Sequence, residues 1–199
     1  MNIDAAKSYA LDYLMKIVEP KYAYHNLSHT MDVFQSVSII ALEEKINEND
    51  LVLLQTAALY HDLGIFTNYS KHEAESIKII DEVLPGFDFT SSDIKIIARL
   101  ITDTNIKCKP KSKMGEMLCD ADLDYLGRED YFEISDRLRK EWEACGYKKS
   151  TDKEWYLFQL FFLENHKYYS NTAKRTRDKM KLSNMNKVSE ILTKLEENK

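Results

Sequence analysis

Chemistry is most concentrated in Tyr60-His61-Asp62-Leu63-Gly64, where an imidazole and a carboxylate stand side by side. They close the apolar run Leu51-Val52-Leu53-Leu54-Gln55-Thr56-Ala57-Ala58-Leu59, which belongs in a core. An ionisable pair at the end of such a run is costly to bury unless something compensates it. A metal cation is one compensation; a salt bridge or a satisfied hydrogen bond is another. Adjacent residues on a helix point about 100° apart, so both side chains reach one ion only near a helix end or a distortion. Gly64 supplies a helix stop at that place.

Two further candidates fall on inward positions of other predicted helices. His29 shares a stripe with Val33, Val37, Ile40 and Ala41 in a helix that Asn26 or Ser28 starts, and the spacing has the helical period. A later helix carries Met114, Leu118, Ala121, Asp122 and Tyr125 on one face and ends at Gly127. Periodicity alone does not choose among Asp120, Asp122 and Asp124, but Asp122 is the one in step with Leu118 and Tyr125. Two imidazoles and two carboxylates form a mixed nitrogen and oxygen ligand set. Such a set suits Mn, Fe, Zn, Ni or Mg, and a soft copper site less.

The remaining pattern is helical throughout. Asp4 can cap a first helix that runs to residue 18, with Tyr9, Ala10, Tyr13, Leu14 and Ile17 on one face, and residues 21–27 read as a loop. Residues 43–50 are a polar connection. Ser70 and Glu73 form a capping-box pattern before Ile77, Ile80 and Leu84, and Pro85-Gly86 stops that helix. Residues 93–103 are another helix, with Ile94, Ile97, Leu100 and Ile101 inward, followed by a basic loop over 104–113. Tyr131, Ile134, Leu138 and Trp142 mark the next, closed by Gly146. Thr151 and Glu154 form a second capping box before Trp155, Phe158, Phe161 and Phe162. The stretch 172–199 is amphipathic and interrupted near Ser183-Asn184. No strand alternation and no repeat is visible, so the expectation is an all-α, single-domain bundle over residues 1–199, of roughly eight to ten helices.

Composition agrees: 44% apolar and 31% charged residues, with only 5 Gly and 3 Pro, suit a compact helical protein rather than disorder or a turn-rich sandwich. A net charge of −5 argues against a duplex nucleic acid as partner. Cys108, Cys119 and Cys145 form no Cys-x-x-Cys pair, which reads as reduced thiols. The N-terminus opens into an amphipathic pattern without a signal peptide, and no apolar stretch approaches bilayer length. A cytoplasmic location with no membrane partner is expected.

In order, placement and flanking residues, these motifs resemble the HD-domain superfamily of metal-dependent phosphohydrolases, whose pattern is His, then His-Asp, then a distal Asp. The residues concerned are His29 in Tyr24-His25-Asn26-Leu27-Ser28-His29, His61-Asp62 in Leu59-Tyr60-His61-Asp62-Leu63-Gly64, and Asp122 in Asp120-Ala121-Asp122-Leu123-Asp124-Tyr125-Leu126-Gly127. The resemblance covers about residues 22–127, with the helices of 128–199 expected to pack on that core. It implies that His29, His61, Asp62 and Asp122 bind a divalent ion (Mn, Fe, Zn, Ni or Mg); the alternative is four satisfied core polar residues.

Tyr24-His25-Asn26-x-x-His29 is similar to the opening motif of the cyclic-nucleotide phosphodiesterases, in which the motif His protonates the leaving oxygen. By position His25 becomes the general acid; otherwise it is a loop histidine beside the cap residue Asn26. His72 stands where some members hold a second metal, or it contacts phosphate, or it sits near the cap. Residues 101–104 occupy the place of the later paired histidines without supplying them, which points to one metal, or to a second ion held by substrate and waters. No counterpart of the purine clamp is evident. Asp122-Leu123-Asp124-Tyr125-Leu126-Gly127 and Phe162-Leu163-x-x-His166 resemble uncharacterised bacterial members described as HD phosphohydrolases.

Lys71, with His166, Lys167, Arg175 and Arg177, is a candidate phosphate contact, the last four at the pocket mouth. The bland reading is a solvated face and a core-edge histidine. Tyr168, Tyr169 and the aromatics of 155–162 are core by default. The function implied is a metal-dependent phosphohydrolase acting on a nucleotide or related small phosphorylated metabolite. In it a metal-activated water attacks, Asp62 or a neighbouring carboxylate takes the water's proton, and His25 protonates the leaving group. Alternatives are a regulatory or ligand-binding HD domain without turnover, or an iron-dependent oxygenase on the same scaffold. A homodimer is compatible with all three.

Overall fold

The computed structural model describes residues 1–197, and helices account for all the regular structure among them. The chain divides into two compact units, Met1–Glu19 with His25–Asp122, and Pro20–Tyr24 with the chain from Leu123 onward. The first holds helices α1 (Ile3–Ile17), α2 (Leu27–Glu43), α3 (Glu48–Tyr60), α4 (His72–Val83), α5 (Ser91–Asp103) and α6 (Lys113–Asp122). The second holds α7 (Tyr131–Ala144), α8 (Asp152–Asn165) and α9 (Asn171–Glu197).

In the first unit α3 is the central element, packed against α1, α2, α5 and α6. Past its polar first turn it is largely apolar, as a helix packed on several sides must be: Leu53, Leu54, Ala57, Ala58, Leu59 and Tyr60 are all buried. Tyr60 spends its one polar atom on α1, its hydroxyl donating to Ala6 O at 2.8 Å. On α2 the predicted stripe of His29, Val33, Val37, Ile40 and Ala41 is the buried one, and Asn26 caps the helix, accepting from Ser28 N and His29 N. The inward set Ile94, Ile97, Leu100 and Ile101 of α5 is likewise buried, behind a capping box made by Thr90 and Asp93.

Several local expectations are corrected. Asn2, not Asp4, caps α1, accepting from Ala5 N at 3.1 Å, while Asp4 lies in the first turn, where a carboxylate suits the helix dipole. The Ser70–Glu73 box does not form. Asn68 accepts from Ser70 N and opens a short 3-10 turn, Tyr69–Lys71, so α4 begins only at His72. The helix through Asp122 stops there, and a separate 3-10 turn, Asp124–Gly127, follows.

The second unit is built on Tyr24, Tyr125, Leu126, Tyr131, Ile134, Leu163, Val188 and Leu192. On α8 the buried residues are Trp155, Gln159 and Leu163, four apart, so Gln159 lies inside and Phe161 is 65% exposed, against the expectation. Gln159 is tolerated because the Tyr131 hydroxyl donates to its Oε1 at 2.7 Å. Tyr169 is exposed too, and only Tyr168 is core. The expected break at Ser183-Asn184 is absent: α9 continues through it, and the buried Asn184 donates to Leu126 O and Arg128 O. The last two residues of that predicted helix lie outside the described residues.

Arg177 has a structural task. Its Nε and Nη2 reach Asp124 Oδ1 and Oδ2 at 2.6 and 3.1 Å, a fork on a carboxylate that is 8% exposed. Arg177→Met strands that carboxylate, apart from Arg128 at 3.9 Å. We expect a loss of about 2 kcal/mol in urea unfolding, below the usual cost of breaking a buried pair because Arg177 is partly solvated. An unchanged unfolding midpoint would contradict this assignment.

Candidate metal centre

Asp62 is where the chain leaves α3. His61 still has helical backbone angles, but Asp62 has φ −107° and ψ 2°, and a 3-10 turn over Leu63–Phe66 follows. That departure lets adjacent side chains face one point, which a continuous helix forbids. Gly64 does not stop the helix with a left-handed conformation; it makes room. A Cβ there would stand 2.2 Å from His72 O and 2.4 Å from Ser76 N, so only glycine lets the first turns of α4 lie against the His-Asp turn.

Three element ends supply the site: the first turn of α2 gives His29, the end of α3 gives His61 and Asp62, and the last residue of α6 gives Asp122. One donor atom from each of the four lies within 4.8 Å of all the others. Imidazole and carboxylate alternate around the group. His29 Nε2 is 3.2 Å from both Asp62 Oδ2 and Asp122 Oδ1; His61 Nε2 is 3.0 Å from the first and 3.4 Å from the second. These are the separations of neighbouring ligands around an ion whose bonds are about 2.0–2.2 Å. The donor chemistry fits as well. His61 Nδ1 faces Ala58 O at 2.9 Å, and donation there leaves Nε2 as a lone pair aimed at the cluster. Buried and without an aligned hydrogen-bond partner, that Nε2 suits a cation.

The charges are coupled. Burial works against a charged imidazole at His29, but the Asp122 and Asp62 carboxylates beside it reverse this, raising His29 to about 9. Burial likewise opposes charge on His61, and the Asp62 and Asp122 carboxylates raise it well above the ordinary imidazole value. Burial acts to raise Asp62 and Asp122, yet the surrounding imidazoles hold both well below the usual carboxylate range. The contacts around His61 are close but poorly aligned, so the attraction is chiefly electrostatic rather than directed.

Two more histidines border the group. His25 Nε2 is 3.8 Å from Asp62 Oδ2, and its ring stands edge-on to those of His29 and Tyr69. His72 Nε2 is 3.4 Å from Asp62 Oδ1, with Nδ1 facing Tyr69 O at 3.1 Å. The structure thus brings His25, His29, His61, Asp62, His72 and Asp122 together. Lys71, beside His72 in the chain, is exposed. His166 and Arg175 belong to the second unit, Arg175 on an exposed face of α9. Sequence reasoning passed over Ser76, a fully buried hydroxyl on α4 one helical turn before Ile80. Its signal was a polar residue in the apolar stripe.

His166 stands edge-on to Tyr168, with Lys181 Nζ 3.5 Å from its Nδ1. Burial first, then the Lys181 charge, pushes its pKa down to about 4. The unfolded chain, titrating near about 6.5, therefore takes up the proton first. Its contribution to stability is complete above about pH 6.5 and is lost as the pH falls toward about 4. For His166→Gln we expect a pH 7-to-4.5 loss of unfolding free energy about 2 kcal/mol smaller than in the wild type. Identical pH dependence of the two chemical-denaturation curves would refute it.

The family described as HD domain matches residues 26–139, and the chain belongs to it. An uncharacterized protein of Clostridium beijerinckii is 35% identical over 80 residues, which are 39% of this chain and 50% of that protein. The match thus spans about half the length of that relative. Bacillus subtilis YpgQ, in complex with ADP, is similar in fold with a TM-score of 0.67 at 18% identity, over 100% of this chain and 95% of that one. A predicted HD superfamily hydrolase from an uncultured Thermotogales bacterium has a TM-score of 0.60 at 21% identity, over 96% of this chain and 91% of that one. No described helix is long and apolar enough to cross a membrane.

Proposed function

We propose that the protein is a metal-dependent phosphohydrolase acting on a nucleotide or related small phosphorylated metabolite. The observation that carries this reading is the convergence of His29, His61, Asp62 and Asp122 within 4.8 Å. Those four side chains would hold one divalent cation, of the Mn, Fe, Zn, Ni or Mg group. When bound, such an ion supplies a water-derived nucleophile near neutral pH and offsets phosphate charge.

The chain's own residues provide the proton transfers and the orientation. Asp62 would accept a proton from the attacking water; in support, its Oδ1 lies 3.4 Å from His72 and is not the oxygen shared with His29 and His61. His25, beside Asp62 but outside that group, protonates the departing oxygen. His72 holds Asp62 from the far side and, with Lys71, is offered to substrate phosphate. A nucleotide as substrate is supported by the ADP complex of the YpgQ fold relative.

The test is phosphate release from a panel of nucleotides with added Mn²⁺. We expect turnover of at least one class, and for His25→Ala a fall in kcat of about 10²–10⁴-fold with metal content unchanged. Absence of any turnover would count against the enzyme reading. Full activity in His25→Ala would remove only the general-acid assignment.

A further inference from the structure

We infer that Ser76, on α4, is a positioning residue that sets the aim of His61 and Asp62; this inference rests on the metal-dependent reading above. A serine inside a helix ordinarily turns its hydroxyl to solvent or back to the carbonyl four residues earlier. Ser76 does neither. Its side chain is fully buried, and its Oγ donates to His61 O at 2.7 Å and accepts from Gly64 N at 2.8 Å. Both are backbone groups that the end of α3 leaves without partners of its own. They bracket Asp62, the residue whose backbone leaves helical geometry.

One hydroxyl therefore closes the turn on both sides of the carboxylate. The peptide group after His61 is pinned at its oxygen, and the turn after Asp62 is pinned at its second residue, Gly64. The close approach that this needs is the one Gly64 permits: α4 comes so near that any side chain at position 64 would meet His72 O and Ser76 N. The same helix carries His72 in its first turn, against Asp62 Oδ1 at 3.4 Å. The seating of α4 on this turn thus governs Asp62 from its backbone and from its second oxygen at once. Removing the hydroxyl leaves His61 O and Gly64 N buried and unsatisfied, and frees the turn to rotate. An outer group that orients ligands typically contributes 10–100-fold to metal affinity.

The experiment is Mn²⁺ binding followed by electron paramagnetic resonance on the wild type, Ser76→Ala, Ser76→Cys and Thr56→Val. Thr56 is an equally buried hydroxyl, on α3, that donates to its own helix at Val52 O, and it reports the effect of a lost core hydrogen bond alone. We expect Ser76→Ala to raise the Mn²⁺ Kd by about 10–100-fold and to alter the bound-ion spectrum. Thr56→Val should keep both. Ser76→Cys, which preserves volume and a weak donor, should fall between, and it decides the matter if the alanine variant does not fold. Wild-type Kd and spectrum in the Ser76 variants, or an equal loss in Thr56→Val, overturns the positioning role while leaving the metal site standing. A wild type that takes up no divalent ion removes the underlying reading, and this one with it.

Discussion

Asp62→Ala is expected to abolish divalent-cation uptake and to lower kcat/KM by about 10³-fold or more, equivalent to about 4 kcal/mol of transition-state stabilisation. Asp62 is the hub of the site: Oδ2 lies 3.0 Å from His61, 3.2 Å from His29 and 3.8 Å from His25, while Oδ1 lies 3.4 Å from His72. Removing it takes away a proposed ligand, the proposed proton acceptor and the negative charge that four imidazoles surround. Asp62→Asn preserves size but not charge, and should lose nearly as much. The measurements are bound metal per chain and initial rates with saturating Mn²⁺. A variant that keeps either its metal or its turnover would show that another group is the hub.

Gly64→Ala has the second-largest expected effect, and through packing alone. The added methyl would stand 2.2 Å from His72 O and 2.4 Å from Ser76 N, both backbone atoms that cannot swing aside as a flexible side chain can. Either α4 lifts away from the turn or the turn distorts. Overpacking of this kind typically costs about 1–3 kcal/mol, and contact with backbone on two sides places this case at about 3 kcal/mol or more. Because the displaced elements carry His61, Asp62 and His72, metal affinity should fall together with the urea midpoint. A Gly64→Ala protein with wild-type midpoint and wild-type Mn²⁺ affinity would refute the close-approach argument.

Much of this arrangement is legible in the chain. The stripe through His29 needs only the helical period, and the largely apolar run before His61 already marks α3 as a core helix. A pair of ionisable residues at the end of such a run can meet only where the helix ends, and there the backbone of Asp62 turns. Asp122 stands out by its phase with Leu118, although Asp120 and Asp124 are the more deeply buried neighbours. Burial alone would have pointed to Asp120 or Asp124, which are not in the four-residue group.

The rest depends mostly on contacts between segments distant in sequence. Gly64 looks like a helix stop because glycine often is one; that it admits α4 follows only from where α4 lies. Ser70 and Glu73 have capping-box spacing, but Asn68 two residues earlier captures the Ser70 N–H first. Asn184 reads as a helix breaker until Leu126 O and Arg128 O accept its amide. Arg177 reads as a free cation until Asp124 is seen beneath it. At Gly64, Asn184 and Arg177 local propensity was outweighed by a partner from another part of the chain, and at Ser70 by a nearer competing cap.

The central claim, one cation held by residues from three element ends, is tested most directly by Mn²⁺ titration with pulsed electron paramagnetic resonance on the wild type and Asp122→Ala. The account predicts about one tightly bound ion per chain, nitrogen couplings from two imidazoles, and loss of that species in the variant. An ion that shows no imidazole coupling, or that binds equally well without the Asp122 carboxylate, would contradict it.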